Sequence, residues 1–164
     1  MIRGLFETHI KVADLERAMD FYGRVLGLTL GRREDDRRVA FYWVGASGEA
    51  MLGLWEVPPP QVVSQHFAFR SSPAEMEHAT AYLHARGLRG HNFLADGTER
   101  PMVFGWMPAL ALYFRDPDGH TLELLAMLPE PARAEVGVVS LPEWRRLSES
   151  GEAGPGANRP FTER

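Results

Sequence analysis

Short apolar runs and amphipathic stretches alternate along this chain, and the same pattern occurs twice. Alternating or continuous apolar positions predict strands, whereas apolar residues recurring every three to four positions predict helices. The first half predicts a strand, a helix and three strands, at residues 5–12, 14–26, 28–34, 39–44 and 50–57. The second half predicts a strand, a helix, a less regular strand region and two strands, at 65–70, 72–87, 91–104, 111–114 and 121–126. Both halves thus form the same βαβββ unit, which is an internal repeat.

Turn and cap residues divide the chain into segments. Asp14 and Ser72 are good helix N-caps, and Gly27 and Gly87 end the two helices. The run Pro58-Pro59-Pro60 stops the last strand of the first half and is typical of a stiff linker. The predicted organisation is a first module at 4–57, a second at 64–128 and a C-terminal extension at 129–164. Within the extension, residues 141–147 predict a short docked helix, and 148–164 have the composition of a disordered tail.

Composition narrows the possible functions. The 164 residues carry a net charge of −4 without a basic stripe, which argues against a nucleic-acid partner. Cysteine is absent, which excludes thiolate metal sites and suits a cytoplasmic protein. No apolar run approaches the ~20 residues of a membrane-spanning helix, and early charges argue against a signal peptide.

Three ionisable residues lie inside otherwise apolar strands: His9, His66 and Glu123. A buried carboxylate is costly unless it is paired or bound to a metal, so Glu123 meets either an arginine or a cation. His9 and His66 occupy matching places in the two repeats, 57 residues apart. Two imidazoles and one carboxylate are a common ligand set for a divalent metal. His120 lies in the turn before the strand that holds Glu123. It either supports the site or is a surface residue.

The motifs around these residues resemble the vicinal oxygen chelate superfamily. The resemblance rests on His9-Ile10-Lys11-Val12-Ala13-Asp14-Leu15, on His66-Phe67-Ala68-Phe69, and on Asp116-Pro117-Asp118-Gly119-His120 followed by Leu122-Glu123. It covers about residues 4–128. It implies an α+β fold in which two βαβββ modules form a cup-shaped mixed sheet, paired in a homodimer. It also implies that His9, His66 and Glu123 bind a divalent metal ion (Fe, Mn, Zn or Ni).

Departures from the pattern of individual branches affect the expected chemistry. Gly53 stands where glyoxalase I has a fourth protein ligand, so a three-ligand site is expected. Glu56, three residues later, falls on the opposite strand face. Tyr113 matches a tyrosine of the fosfomycin-modifying and extradiol dioxygenase branches and is the expected catalytic hydrogen-bond donor. Lys11 departs from the fosfomycin branch, which has threonine there.

Two functions remain open at this stage. One is a metal-dependent lyase, isomerase or dioxygenase whose small substrate chelates the metal through neighbouring oxygens. The alternative is a drug-binding resistance protein of the bleomycin-binding type, with aromatic walls such as Trp43, Trp55 and Trp106. Retention of all three ligand positions favours the first, because the binding proteins lack them.

Overall fold

The computed structural model describes residues 1–150 of the chain. The first half folds into a four-stranded mixed sheet with one helical segment. Its elements are β1 (Glu7–Val12), α1 (Leu15–Met19), a π-helical turn (Asp20–Val25), β2 (Thr29–Glu34), β3 (Val39–Val44) and β4 (Ala50–Glu56). The strand order is β1-β4-β3-β2, with β1 parallel to β4 and the other pairs antiparallel.

Local sequence explains the first half directly. Ile10 and Val12 are buried on one face of β1, whereas His9 and Lys11, which alternate with them, lie on the exposed face. Asp14 caps α1, since its side chain accepts a hydrogen bond from the Arg17 backbone N–H at 2.9 Å. The chain leaves the helix through Gly27, whose φ of 83° favours glycine.

The second half repeats this arrangement with less regular helices. Its elements are β5 (His66–Arg70), α2 (Pro73–Met76), α3 (Ala79–His84), β6 (Met102–Phe104), β7 (Ala109–Arg115) and β8 (Thr121–Met127). The order β5-β8-β7-β6 reproduces the order of the first sheet, so the predicted repeat and the α+β fold of two βαβββ modules are confirmed. Two short helices replace the single predicted helix. Of the less regular region, only β6 is a strand, and His91 forms an isolated bridge to Tyr113.

The C-terminal extension adds a fifth strand to the second sheet. A 3-10 turn (Ala134–Val136) leads into β9 (Val138–Ser140), which pairs antiparallel with β6. The helix α4 (Leu141–Ser150) follows and contacts β6 and β9, with Trp144 and Leu147 fully buried. The docked helix expected at 141–147 is present and runs three residues further. The disordered tail was predicted at 148–164; this is wrong for residues 148–150, which belong to α4, and residues 151–164 lie outside the described part of the chain.

The chain divides into two compact units. Among the described residues, the first unit contains 1–67 together with the turn at 115–121, and the second contains 68–114 and 122–150. The linker prolines form part of a 3-10 turn (Pro59–Gln61) within the first unit. The predicted module boundaries, 4–57 and 64–128, stay a prediction. No helix within residues 1–150 has the length and apolar character needed to cross a membrane.

Candidate metal centre

Glu123 is a buried carboxylate beside a buried tyrosine in the second unit. Glu123 lies on β8 with 3% of its surface exposed, and Tyr113 lies on β7. The Tyr113 hydroxyl donates a hydrogen bond to Glu123. Burial raises the pKa of Tyr113 above its usual value, and the negative charge of Glu123 and this hydrogen bond raise it further. Tyr113 therefore stays protonated at neutral pH and acts as a hydrogen-bond donor to Glu123, whereas its expected catalytic role stays a prediction.

Two aromatic rings that the sequence reasoning did not assign to the site pack against Tyr113. The His91 ring lies 5.6 Å from the Tyr113 ring, between centroids, and the Phe93 ring lies 5.0 Å from it. His91 is also paired to Tyr113 through two backbone hydrogen bonds of 2.8 and 3.0 Å. The spacing of His91 and Phe93, two residues apart, would place both rings on one face of a strand. It was not used to predict the site, because the sequence around them does not indicate a regular strand.

His66 has the hydrogen bonding of a metal ligand. Its Nδ1 lies 3.0 Å from the backbone oxygen of Thr121. A carbonyl oxygen only accepts, so Nδ1 carries the proton, and the lone pair of the neutral ring is on Nε2. Metal-binding histidines are typically oriented in this way, with the second ring nitrogen donating to a carbonyl or carboxylate.

His9 has the opposite arrangement. The Trp55 indole N–H donates to His9 Nδ1 at 3.0 Å, and His9 Nε2 lies 3.0 Å from a Glu7 carboxylate oxygen. Because an indole nitrogen only donates, Nδ1 holds the lone pair and Nε2 carries the proton. The His9 side chain is 43% exposed, and His66 is exposed as well. The prediction that all three ligands are buried is therefore wrong for both histidines, because each lies on the open face of its strand.

The position opposite His9 explains why no fourth ligand is present in the first unit. His9 pairs in register with Gly53 on β4. A Cβ at Gly53 would lie 2.7 Å from His9 Cδ2, so any side chain there would displace the imidazole. Glu56 lies in register with Val12, accepts from the Leu15 backbone N–H at 2.7 Å and pairs with Arg38 at 2.6 Å. Its hydrogen bonds, that from Arg38 foremost, lower its pKa, which makes it a structural cap rather than a base.

The turn at 115–121 has a structural role in the first unit. Asp116 accepts from the Tyr22 hydroxyl at 2.9 Å, and Asp118 pairs with Arg17. His120 is fully buried, accepts from the Gln65 backbone N–H through Nδ1 at 3.0 Å, and donates through Nε2 to the Lys11 carbonyl at 2.8 Å. His120 is thus neither a surface residue nor available to a metal.

The donor set fits a divalent metal only in part. His66 has its lone pair on Nε2, and Glu123 supplies a carboxylate that accepts from Tyr113. His9 does not fit in this conformation, because both of its ring nitrogens are engaged. Within residues 1–150 of the single chain, no group of three His, Asp or Glu side chains converges to hold a metal ion.

The repeated strand order and the positions of the two histidines and the glutamate define a two-module βαβββ protein of the vicinal oxygen chelate type. A family model described as the Glyoxalase/Bleomycin resistance protein/Dioxygenase superfamily matches residues 4–124, and the chain belongs to this superfamily.

Solved structures agree with this assignment. An integron cassette protein, HFX_CASS4, from the mobile metagenome of the Halifax Harbour sewage outfall is 36% identical, covering 77% of this chain and 100% of its own, with a TM-score of 0.64. Two others share the fold at 21% identity. The fosfomycin resistance protein FosX from Mesorhizobium loti covers 79% of this chain and 96% of its own (TM-score 0.54). A lactoylglutathione lyase from Agrobacterium tumefaciens covers 77% and 95% (TM-score 0.56). No curated protein matches the chain significantly.

Proposed function

We propose that this protein is a metal-dependent enzyme that acts on a small substrate through two neighbouring oxygen atoms. The observation that carries the proposal is the buried Tyr113–Glu123 pair. A carboxylate buried in an apolar strand is costly, and binding a cation is one of the few arrangements that offsets this cost. The ion is divalent, one of Fe, Mn, Zn or Ni.

His9, His66 and Glu123 are the residues that would hold the ion. When bound, it supplies Lewis-acid stabilisation of negative charge on a substrate oxygen. Tyr113, kept protonated by its surroundings, donates a hydrogen bond to an oxygen that gains charge. The His91 and Phe93 rings pack against the Tyr113 ring. FosX and the lactoylglutathione lyase share the fold, and lyase, isomerase and dioxygenase chemistry all remain open to this site.

Metal content of purified protein after reloading tests the proposal. We expect about one divalent ion per site in the wild type and strong loss in Glu123→Gln, which keeps the shape but removes the charge. Glu77→Gln is the matched control, since Glu77 is an exposed carboxylate paired with Arg145. Unchanged metal content in Glu123→Gln would show that the ligand assignment is wrong. Turnover tests on methylglyoxal–thiol adducts, catechols and fosfomycin then separate the reaction classes.

A second candidate, a metal-free binding protein, is favoured by the exposed face of the first sheet. Phe41, Trp43 and Trp55 lie there half-buried, and the Arg37 guanidinium lies 4.8 Å from the Trp55 ring centroid. His9 lies on the same face, where its Nδ1 contacts Trp55 and its Nε2 contacts Glu7. Tryptophan fluorescence titrated with bleomycin in the presence of a chelator tests this candidate. Tight, saturable quenching without metal would support it.

A homodimer is expected because proteins of this superfamily are usually dimeric. The first six residues add support, since Met1, Ile2, Leu5 and Phe6 are exposed apolar side chains outside any helix or strand. Sedimentation of the purified protein at micromolar concentration should show a species of about twice 18.4 kDa. A species of monomer mass alone would contradict the dimer. The cytoplasmic location stays a prediction from the absence of cysteine.

A further inference from the structure

Trp55 is the residue that makes His9 differ from His66. Both histidines occupy matching strand positions in the repeat, yet their hydrogen bonds select opposite tautomers. A carbonyl oxygen, that of Thr121, accepts from Nδ1 of His66, whereas the Trp55 N–H donates to Nδ1 of His9. We infer that Trp55 controls metal affinity at this centre by holding His9 in a tautomer that cannot act as a ligand. This inference rests on the proposed metal site.

Metal binding by His9 and the Trp55–His9 hydrogen bond exclude each other whichever nitrogen is used. Binding through Nδ1 needs the lone pair that Trp55 occupies. Binding through Nε2 requires the tautomer in which the proton is on Nδ1. A protonated Nδ1 cannot accept a hydrogen bond from the Trp55 indole N–H. The tautomer exchanges through water without net gain or loss of a proton.

Several neighbours hold this arrangement in place. The His9 and Trp55 ring centroids lie 5.6 Å apart, and Arg37 lies over the indole on β4. Glu7 accepts from the proton on Nε2 and so favours the same tautomer. Gly53 leaves the space in which the imidazole lies, because even a methyl group there would collide with it. The contacts of Trp55, Arg37 and Glu7 and the space at Gly53 therefore all favour the conformation that opposes metal binding.

Removing the indole N–H should raise the affinity for metal. A single hydrogen bond contributes modestly to an equilibrium, so Trp55→Phe is expected to bind Zn²⁺ or Mn²⁺ roughly two- to tenfold more tightly than the wild type. Phenylalanine keeps an aromatic ring beside His9 and beneath Arg37. Trp43→Phe is the matched control, since Trp43 lies on β3 in register with Met51 rather than with the His9–Gly53 pair.

Two measurements on the full-length protein test the inference. Titration with each metal compares the dissociation constants of the wild type, Trp55→Phe and Trp43→Phe. Long-range ¹H–¹⁵N NMR of the metal-free protein reports the His9 tautomer. We expect the proton on Nε2 in the wild type and in Trp43→Phe, and a shift toward Nδ1 in Trp55→Phe. A merely structural role of Trp55 would lower metal affinity and leave the tautomer unchanged.

The outcomes separate this inference from the proposed function. Metal bound by all three proteins with equal affinity, or more weakly by Trp55→Phe, would overturn the role of Trp55 and leave the metal site intact. A wild-type His9 with its proton on Nδ1 would overturn it as well. If none of the three proteins binds metal, the proposed metal site is wrong, and so is the inferred effect of Trp55 on metal affinity.

Discussion

His120 offers the sharpest test of how the Asp-Pro-Asp-Gly-His turn acts. Its ring is fully buried and connects two backbone groups that are distant in sequence, the Gln65 N–H at 3.0 Å and the Lys11 carbonyl at 2.8 Å. His120→Leu removes both hydrogen bonds while keeping most of the side-chain volume. The backbone bonds between His120 and Asp116 do not depend on the ring and remain.

The expected loss follows from the two groups left without a partner. Each unsatisfied buried backbone group costs about 1–3 kcal/mol, and both positions here are only partly buried, so we expect a loss of about 2–4 kcal/mol. That is a large part of the ~5–15 kcal/mol by which a typical domain is stable.

Urea unfolding at pH 7 measures this loss directly. The control is His78→Leu, an exposed residue between α2 and α3, which should change the free energy of unfolding by less than about 0.5 kcal/mol. Metal content of His120→Leu should match the wild type, because His120 binds no ligand. A loss below about 1 kcal/mol would refute the structural role of the ring, and a folded variant without metal would instead make His120 part of the site.

The turn and the extension give three further predictions. Burial raises the pKa of Asp116, so its contribution to stability is complete below pH ~4 and is lost as the pH rises through the raised value. Asparagine does not titrate, so the free energy of unfolding of Asp116→Asn minus that of the wild type should rise between pH 4 and pH 7, as measured by urea unfolding. A difference that does not change with pH would contradict this. Deletion after Leu128 removes β9 and α4 and should cause aggregation, seen by light scattering, whereas a protein ending at Ser150 should unfold like the full chain. Trp144→Ala should cost about 3–5 kcal/mol in the same unfolding assay because Trp144 is fully buried, and a smaller loss would show that α4 is loosely packed.

Periodicity and turn chemistry were enough to predict most of the fold. β3 was predicted to the residue, and β1 and β4 to within two residues, because their apolar runs end at clear turn signals. The strand β9 was missed, since three residues are too few to show a period and their partner β6 lies far away in sequence. The single helix predicted at 72–87 is interrupted after Met76 and resumes at Ala79.

The sequence could suggest candidate site residues, whose roles stay a prediction, but it could not suggest their hydrogen bonding. The repeat identified His9 and His66 as equivalents, and the three-residue offset correctly placed Glu56 on the strand face opposite to that of Gly53. The sequence could not show that Trp55 and Thr121 select opposite tautomers, because both contacts depend on which strands are neighbours. It likewise could not show that His120 is buried, since turn residues are usually exposed.

The most direct test of the metal centre is a crystal structure of the protein loaded with Mn²⁺ or Zn²⁺, with anomalous data collected at the metal edge. We predict one strong anomalous peak per site, coordinated by a nitrogen of His9, Nε2 of His66 and a carboxylate oxygen of Glu123 at about 2.0–2.3 Å, with the Trp55–His9 hydrogen bond broken. The histidines and the glutamate are expected to come from paired chains. A loaded crystal without a peak at these residues, and with His9 still bonded to Trp55, would contradict the account.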